Sequence, residues 1–149
     1  MAALARNPRV LGIKNSAADL QRFHRFLAVR RQRPNFRVLQ GSEHLMAASL
    51  LGADGLVPGL VNVAPALFIA LPNAAGARDM DACAACQERI EDLWTLHHTH
   101  GHWLPALRAA CAALGLGSGW PALAFTRADS AQRQASALIV QRHVATPTS

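Results

Sequence analysis

Hydrophobic positions in the first half of the chain alternate between short β-like runs and stretches with helical spacing. Arg9-Val10-Leu11-Gly12-Ile13, closed by Lys14, predicts a first strand. Ser16-Ala17-Ala18-Asp19 has the form of a capping box with Asp19 in the glutamate position. It opens a helix in which Leu20, Phe23, Phe26 and Leu27 recur at helical spacing, until Pro34-Asn35 breaks the pattern. Phe36 to Gln40 predicts a second strand; Gly41 turns the chain, Ser42 caps, and Glu43 to Leu51 predicts a short helix. Gly52-Ala53-Asp54 leads into a third strand, Gly55 to Pro58, and a helix follows from about Ala64, disturbed by Pro72. Three successive β-α units with apolar strands predict a parallel sheet buried on both faces.

Beyond Gly76 the pattern is helical only. One segment runs from Asp79 to about Thr99, with Ile90, Leu93, Trp94 and His97 on one side. A second runs from Trp103 to Leu114 and ends in a glycine-rich stretch, Gly115 to Gly119. Thr126-Arg127-Ala128-Asp129 caps a last helix reaching about Val144. No repeat of solenoid length and no low-complexity linker divides the chain.

Composition narrows the class. With 149 residues, 51% hydrophobic and 16% charged, the chain has one domain's length and too much apolar content for disorder. The net charge of +6 raises a nucleic-acid reading, densest at Arg30, Arg31 and Arg33 with Arg25 and Arg37 nearby. The neighbouring aromatics Phe23, Phe26 and Phe36 fall at core positions, so the run reads as a solvated helix end and nucleic acid is not a predicted partner. Arg6 and Pro8 interrupt any signal-peptide core, and Pro58, Asn62 and Pro65 interrupt the most apolar stretch, so no membrane segment is predicted. Three cysteines without a secretory leader point to a reducing, cytoplasmic compartment. Cys83 and Cys86 have metal-ligand spacing but lack a second pair, and Cys111 stands apart. His97, His98, His100 and His102 form a tract remote from the strand ends and read as adventitious metal ligands at most. No metal or cofactor is called for.

Ligands of parallel α/β folds bind at the carboxyl ends of the strands. Those ends carry Lys14, the Gly41-Ser42-Glu43 turn and Val57-Pro58-Gly59. Lys14 is the only lysine of the chain. Burial at a strand end would favour its free amine, a nucleophile that forms a Schiff base with a carbonyl carbon. The Gly41-Ser42 turn, at a helix N-terminus, offers backbone N–H groups to a carboxylate. Together these suit an enzyme acting on 2-oxo acids; a lysine stem lining apolar surface is the alternative.

The segments Val10-Leu-Gly-Ile-Lys14-Asn-Ser-Ala-Ala-Asp19, Leu39-Gln-Gly41-Ser-Glu43 and Gly52-Ala-Asp-Gly55-Leu-Val-Pro-Gly59-Leu-Val-Asn62-Val-Ala-Pro65 resemble, in order and separation, the dihydrodipicolinate synthase / N-acetylneuraminate lyase family. The resemblance runs from residue 1 to about residue 140. It implies that Lys14 is the Schiff-base lysine and that Gly41 lines the pyruvyl end of the substrate. It also implies that Ser42 and Glu43 select the rest of the substrate, and that Val57 packs near the pyruvyl group. Gly59 stands where sialic-acid lyases carry serine, and Ser42 replaces an acidic residue common in the synthases. The implied activity is that of a pyruvate-dependent class I lyase or aldolase, making or breaking a C–C bond beside a 2-oxo acid.

The implied fold is α/β, a partial TIM (β/α)8 barrel. Residues 1–76 correspond to strands six to eight with their helices, and residues 77–149 to the family's C-terminal helical extension. A whole barrel of this kind has about 250 residues. The resemblance places a carboxylate-binding loop, a proton-relaying tyrosine and an arginine at the pocket mouth in the other half, and this chain contains no tyrosine. The expectation is a truncated chain with little activity alone, the alternative being a non-catalytic remnant with a structural or interaction role. The expected partner is a small 2-oxo acid, with room for a homo-oligomer.

Overall fold

The computed structural model describes residues 6–42, 45–98, 102–120 and 127–144. They divide into two compact units, Met1–Pro58 with Phe68–Gln87, and Gly59–Leu67 with Glu88–Ser149.

The first unit is built on a three-stranded parallel sheet of β1 (Gly12–Asn15), β2 (Arg37–Gln40) and β3 (Gly55–Leu56), in that order. Helix α1 (Leu20–Leu27), continued as a 3-10 turn to Arg31, joins β1 to β2, and α2 (Leu45–Leu50) joins β2 to β3. Registration pairs Ile13 with Val38, Lys14 with Leu39, Asn15 with Gln40, and Leu39 with Gly55. Alternation therefore puts Ile13, Asn15, Val38 and Gln40 on one face and Gly12, Lys14, Arg37, Leu39 and Gly55 on the other.

The two faces differ. Phe23 and Phe26 of α1, with Phe36, Val38 and Ala48, form a buried cluster on the first face, against which Val10, Ile13 and Leu27 pack. Residues of the second face are half-buried or exposed. Among the described residues of the first unit the sheet is thus covered on one face only, contrary to the expectation of burial on both. Each β-α connection returns its helix to the same side, and the three short strands supply too few side chains to close the other.

Element ends moved for local reasons. The N-cap of α1 is Asp19 itself, whose Oδ1 accepts from Arg22 N–H at 2.9 Å, so the helix starts after the segment expected to open it. Strand β3 ends at Leu56, although Val57 N–H still donates to Gln40 O at 2.7 Å; Pro58 has no N–H to continue the ladder. Of the arginines expected to be solvated, Arg25 and Arg31 are exposed, whereas Arg30, Arg33 and Arg37 are built into the fold. Arg33 donates to the carbonyls of Asn7 and Pro8, and Arg30 to the Gly52 carbonyl and the Asp54 carboxylate. Asp54 also accepts from Arg37 at 2.9 Å and from Val38 N–H at 2.7 Å, tying the entry of β3 to β2.

Helices α3 (Pro65–Ala77) and α4 (Met80–Trp94) carry the chain across the unit boundary; Pro72 lies within α3 without ending it. In the second unit, α4 tightens into a 3-10 turn, Thr95–His98, where one α-helix to Thr99 was expected. Thr95 Oγ1 donates to Asp92 O at 2.6 Å, competing with the helical pattern there. Helix α5 (Trp103–Ala113) is capped by His102, whose Nδ1 accepts from Leu104 N–H at 3.2 Å. Pro105 falls in its first turn, where a missing N–H costs nothing. A Schellman motif closes it: Leu116 N–H donates to Cys111 O at 2.8 Å and Gly115 N–H to Ala112 O at 2.9 Å, with Gly115 at φ 75°. Helix α6 (Ser130–Val144) opens on a reciprocal cap between Asp129 and Gln132. It packs on α5 over a core that includes Ile90, Leu93, Leu96, Ala106 and Val140. Among the described residues, no helix is long and apolar enough to cross a membrane.

Candidate active site

Strand β1 delivers Lys14 to the uncovered face near the carboxyl end of the sheet. Its side chain lies across Gly41, the first residue after β2. A Cβ placed on Gly41 would overlap Lys14 Cε, sit 3.2 Å from Lys14 Nζ and come within 3.0 Å of the Val57 carbonyl oxygen. Lys14, Gly41 and Val57, three of the residues singled out in the sequence, therefore meet at one point. The absence of a side chain at Gly41 makes the meeting possible.

Two expectations need correction. Lys14 is exposed rather than buried: the residues that share its face of the sheet are themselves half-buried or exposed among the described residues. The Gly41 N–H is not available to an anion: it donates to Asn15 O at 2.8 Å. The described helix α2, moreover, is only six residues long.

Ser42 is 4% exposed and its hydroxyl is engaged inward, accepting from Gln40 Nε2 at 2.9 Å and donating to Ala17 O at 3.0 Å. Glu43 lies outside the described residues. Val57 is 40% exposed. Gly59 belongs to the second unit, where a Cβ on it would lie 3.2 Å from Leu107 Cδ2 and 3.4 Å from Trp103 Cζ3. There it borders an open cavity of about 570 Å³, lined also by Asn62, Arg108, Cys111 and Leu116. Burial pushes the Cys111 thiol up, against a smaller opposing effect of Arg108, which disfavours a nucleophilic thiolate. Among the described residues no group of three or more His, Cys, Asp or Glu side chains is placed to hold a metal ion.

Sequence reasoning missed Asn15 and Gln40, which are 2% and 0% exposed beside Lys14 and Gly41. Asn15 Nδ2 donates to Gln40 Oε1 at 2.9 Å and to Ala17 O at 3.1 Å. The available signal was parity: both are polar residues at positions that share a face with Ile13 and Val38.

The whole arrangement has known relatives. The sequence model of the Dihydrodipicolinate synthetase family matches residues 1–142. A 4-hydroxy-tetrahydrodipicolinate synthase of Xylella fastidiosa (strain Temecula1) is 33% identical over 120 residues, covering 80% of this chain and 39% of that protein. The solved dihydrodipicolinate synthase from Bacteroides thetaiotaomicron is 31% identical and superimposes with a TM-score of 0.85, over 93% of this chain and 48% of that one. A prophage protein of the dihydrodipicolinic acid synthase family from E. coli K12, solved in complex with pyruvate, shares the fold at 20% identity, with a TM-score of 0.79 over 91% of this chain and 46% of that one. The chain thus spans less than half the length of each of these relatives. By the match over nearly all of its residues, this chain belongs to the dihydrodipicolinate synthetase family.

Proposed function

We propose that the chain carries the Schiff-base part of a pyruvate-dependent class I lyase or aldolase, acting on the C–C bond next to a 2-oxo acid. One observation carries the reading: the only lysine stands at the carboxyl end of a parallel strand and lies across a glycine that leaves its side chain a path. Complex formation with pyruvate by the E. coli K12 relative supports the choice of a 2-oxo acid.

The residues suggest the following chemistry. The Lys14 amine attacks the ketone carbon and, with loss of water, gives an imine. Protonated, the imine is an electron sink. In cleavage, the electron pair of the breaking C–C bond enters it to leave an enamine; condensation runs the same step in reverse. Protonation of the enamine and hydrolysis of the imine then free pyruvate and the lysine. Gly41 gives the Lys14 methylenes room and Val57 lines the pyruvyl end. The resemblance assigns Glu43 to the rest of the substrate, whereas the Ser42 hydroxyl is bonded inward to Gln40 and Ala17 and makes no substrate contact on this reading.

The uncovered sheet face supports the further reading of a partial TIM barrel. In a closed barrel, side chains from the other strands fill the space in front of Lys14 and Leu39. On this reading residues 1–76 are the last three β/α units and residues 77–149 the helical extension. Without a tyrosine to relay protons, a polypeptide of these 149 residues would lack a general acid–base contribution worth about 100- to 10,000-fold. We therefore expect imine formation with little turnover from this polypeptide. A non-catalytic remnant is the second reading, favoured by the same open face. A cytoplasmic location completes the proposal.

Incubation with pyruvate and sodium borohydride, read by intact mass, tests it. The expected result is one reduced pyruvyl group on the wild type and none on Lys14→Ala. No adduct, or an adduct that survives the substitution, overturns the assignment.

A further inference from the structure

Directly behind Lys14 and Gly41, on the covered face of the sheet, three buried polar side chains close a hydrogen-bonded ring. Asn15 Nδ2 donates to Gln40 Oε1 at 2.9 Å, and Gln40 Nε2 donates to Ser42 Oγ at 2.9 Å. The Ser42 hydroxyl donates to Ala17 O at 3.0 Å, and the same carbonyl accepts the second Asn15 Nδ2 proton at 3.1 Å. Asn15 Oδ1 accepts from Ala17 N–H at 3.4 Å. All three side chains are at least 96% buried, so each link is formed where an unmet partner would be costly.

The ring has a direction. Turning the Gln40 amide over would set its NH2 against the Asn15 NH2 and its oxygen against the Ser42 oxygen, leaving the Ser42 hydroxyl proton as the only donor at that link. The side chains of Asn15 and Gln40 are therefore locked in one orientation. Their backbones are registered partners and carry Lys14 immediately before and Gly41 immediately after. The Gly41 N–H reaches Asn15 O at 2.8 Å, so the ring and the backbone hold the same two strand ends.

We infer that Asn15, Gln40 and Ser42 are positioning residues, which hold the carboxyl ends of β1 and β2 in the one spacing that lets Lys14 lie over Gly41. The inference rests on the reading of Lys14 as the imine-forming lysine. On this account Ser42 acts from behind the site: its hydroxyl spends its proton and accepts a hydrogen bond inside the ring. Beyond the Asn15–Gln40 pair the β1–β2 backbone contact among the described residues is the single Gly41 N–H to Asn15 O bond, and the ring adds side-chain links at the same point.

The test uses the full chain with pyruvate and sodium borohydride, comparing the wild type, Ser42→Ala and Ser42→Thr. Intact mass reads the Lys14 adduct over a range of pyruvate concentrations, and peptide-level hydrogen exchange reads the Gly41 turn. Ser42→Ala should lower adduct formation at subsaturating pyruvate about tenfold or more and accelerate exchange at the turn, well below its melting midpoint. Ser42→Thr, which keeps the hydroxyl, should restore the adduct to near the wild-type level. If Ser42→Ala does not fold, Ser42→Cys, similar in size and a weak donor, takes its place. Wild-type adduct levels in the folded variant, or unchanged exchange, overturn the positioning role while leaving the Lys14 assignment intact. No adduct on the wild type overturns both.

Discussion

Lys14 and Gly41 meet across the β1–β2 pair so closely that a methyl group on Gly41 would take the place of Lys14 Cε. Each lies one residue from a buried amide side chain, Asn15 or Gln40, and those two are hydrogen-bonded to each other at 2.9 Å. The close approach on the open face of the sheet thus lies directly over polar packing on its covered face.

Gly41→Ala tests the first half of that relationship. The new methyl would displace the Lys14 side chain and press on the Val57 carbonyl. The pyruvate–borohydride adduct should fall about ten- to a hundredfold, with a much smaller change in melting midpoint. Equal adduct yields from both proteins would show that the close approach has no chemical consequence.

Asp54 should make the first unit sensitive to acid. Burial raises its carboxyl, but the Val38 N–H and the Arg37 and Arg30 guanidinium groups outweigh that and hold it below its ordinary value. Folded pKa below unfolded pKa means that its stabilisation is fully present above about pH 4 and is lost as pH falls through the folded value. Asp54→Ala should cost about 1–3 kcal/mol near neutrality, since the Val38 N–H loses its side-chain acceptor. Urea denaturation at neutral and acid pH measures both effects, and the variant's deficit should shrink in acid.

His143 makes a second, separate pH window. Burial lowers its pKa, with Arg89 and Arg142 acting in the same direction and Asp92, 3.8 Å from Nε2, opposing them. The folded state therefore favours the neutral ring. Its contribution is present above about pH 6.5 and declines as pH drops through the lower folded value. His143→Gln should flatten the dependence of the melting midpoint on pH in that interval, while leaving the Asp54 window in place.

The end of α5 offers a backbone test. Gly115 holds φ 75° in the Schellman motif, a conformation in which a Cβ meets the following carbonyl. Gly115→Ala should cost about 1 kcal/mol in thermal or urea unfolding. A neutral result would mean that the turn relaxes to another geometry without penalty.

Much of the fold was legible along the chain. The spacing of Leu20, Phe23 and Phe26 located α1 because one turn of helix returns each to the same face. The runs before Lys14 and Gly41 located β1 and β2, though by one to three residues too early at their starts. Ends were less legible: Asp19 rather than Ser16 caps α1, and α4 stops at Trp94, because caps depend on which hydrogen bond forms and not on apolar periodicity. Of the candidate site, Lys14 and Gly41 were legible as a lone lysine and a turn glycine at two strand ends.

The sequence by itself determined the three β-α units, their parallel order and the identity of the one lysine, since these follow from local periodicity and from composition. Only the tertiary structure decided that Lys14 lies exposed over Gly41, that the Gly41 N–H is already spent on Asn15, and that Ser42 turns inward to Gln40 and Ala17. These facts depend on registration between strands 25 residues apart in sequence. A one-residue slip in that pairing would have put every side chain of one strand on the opposite face.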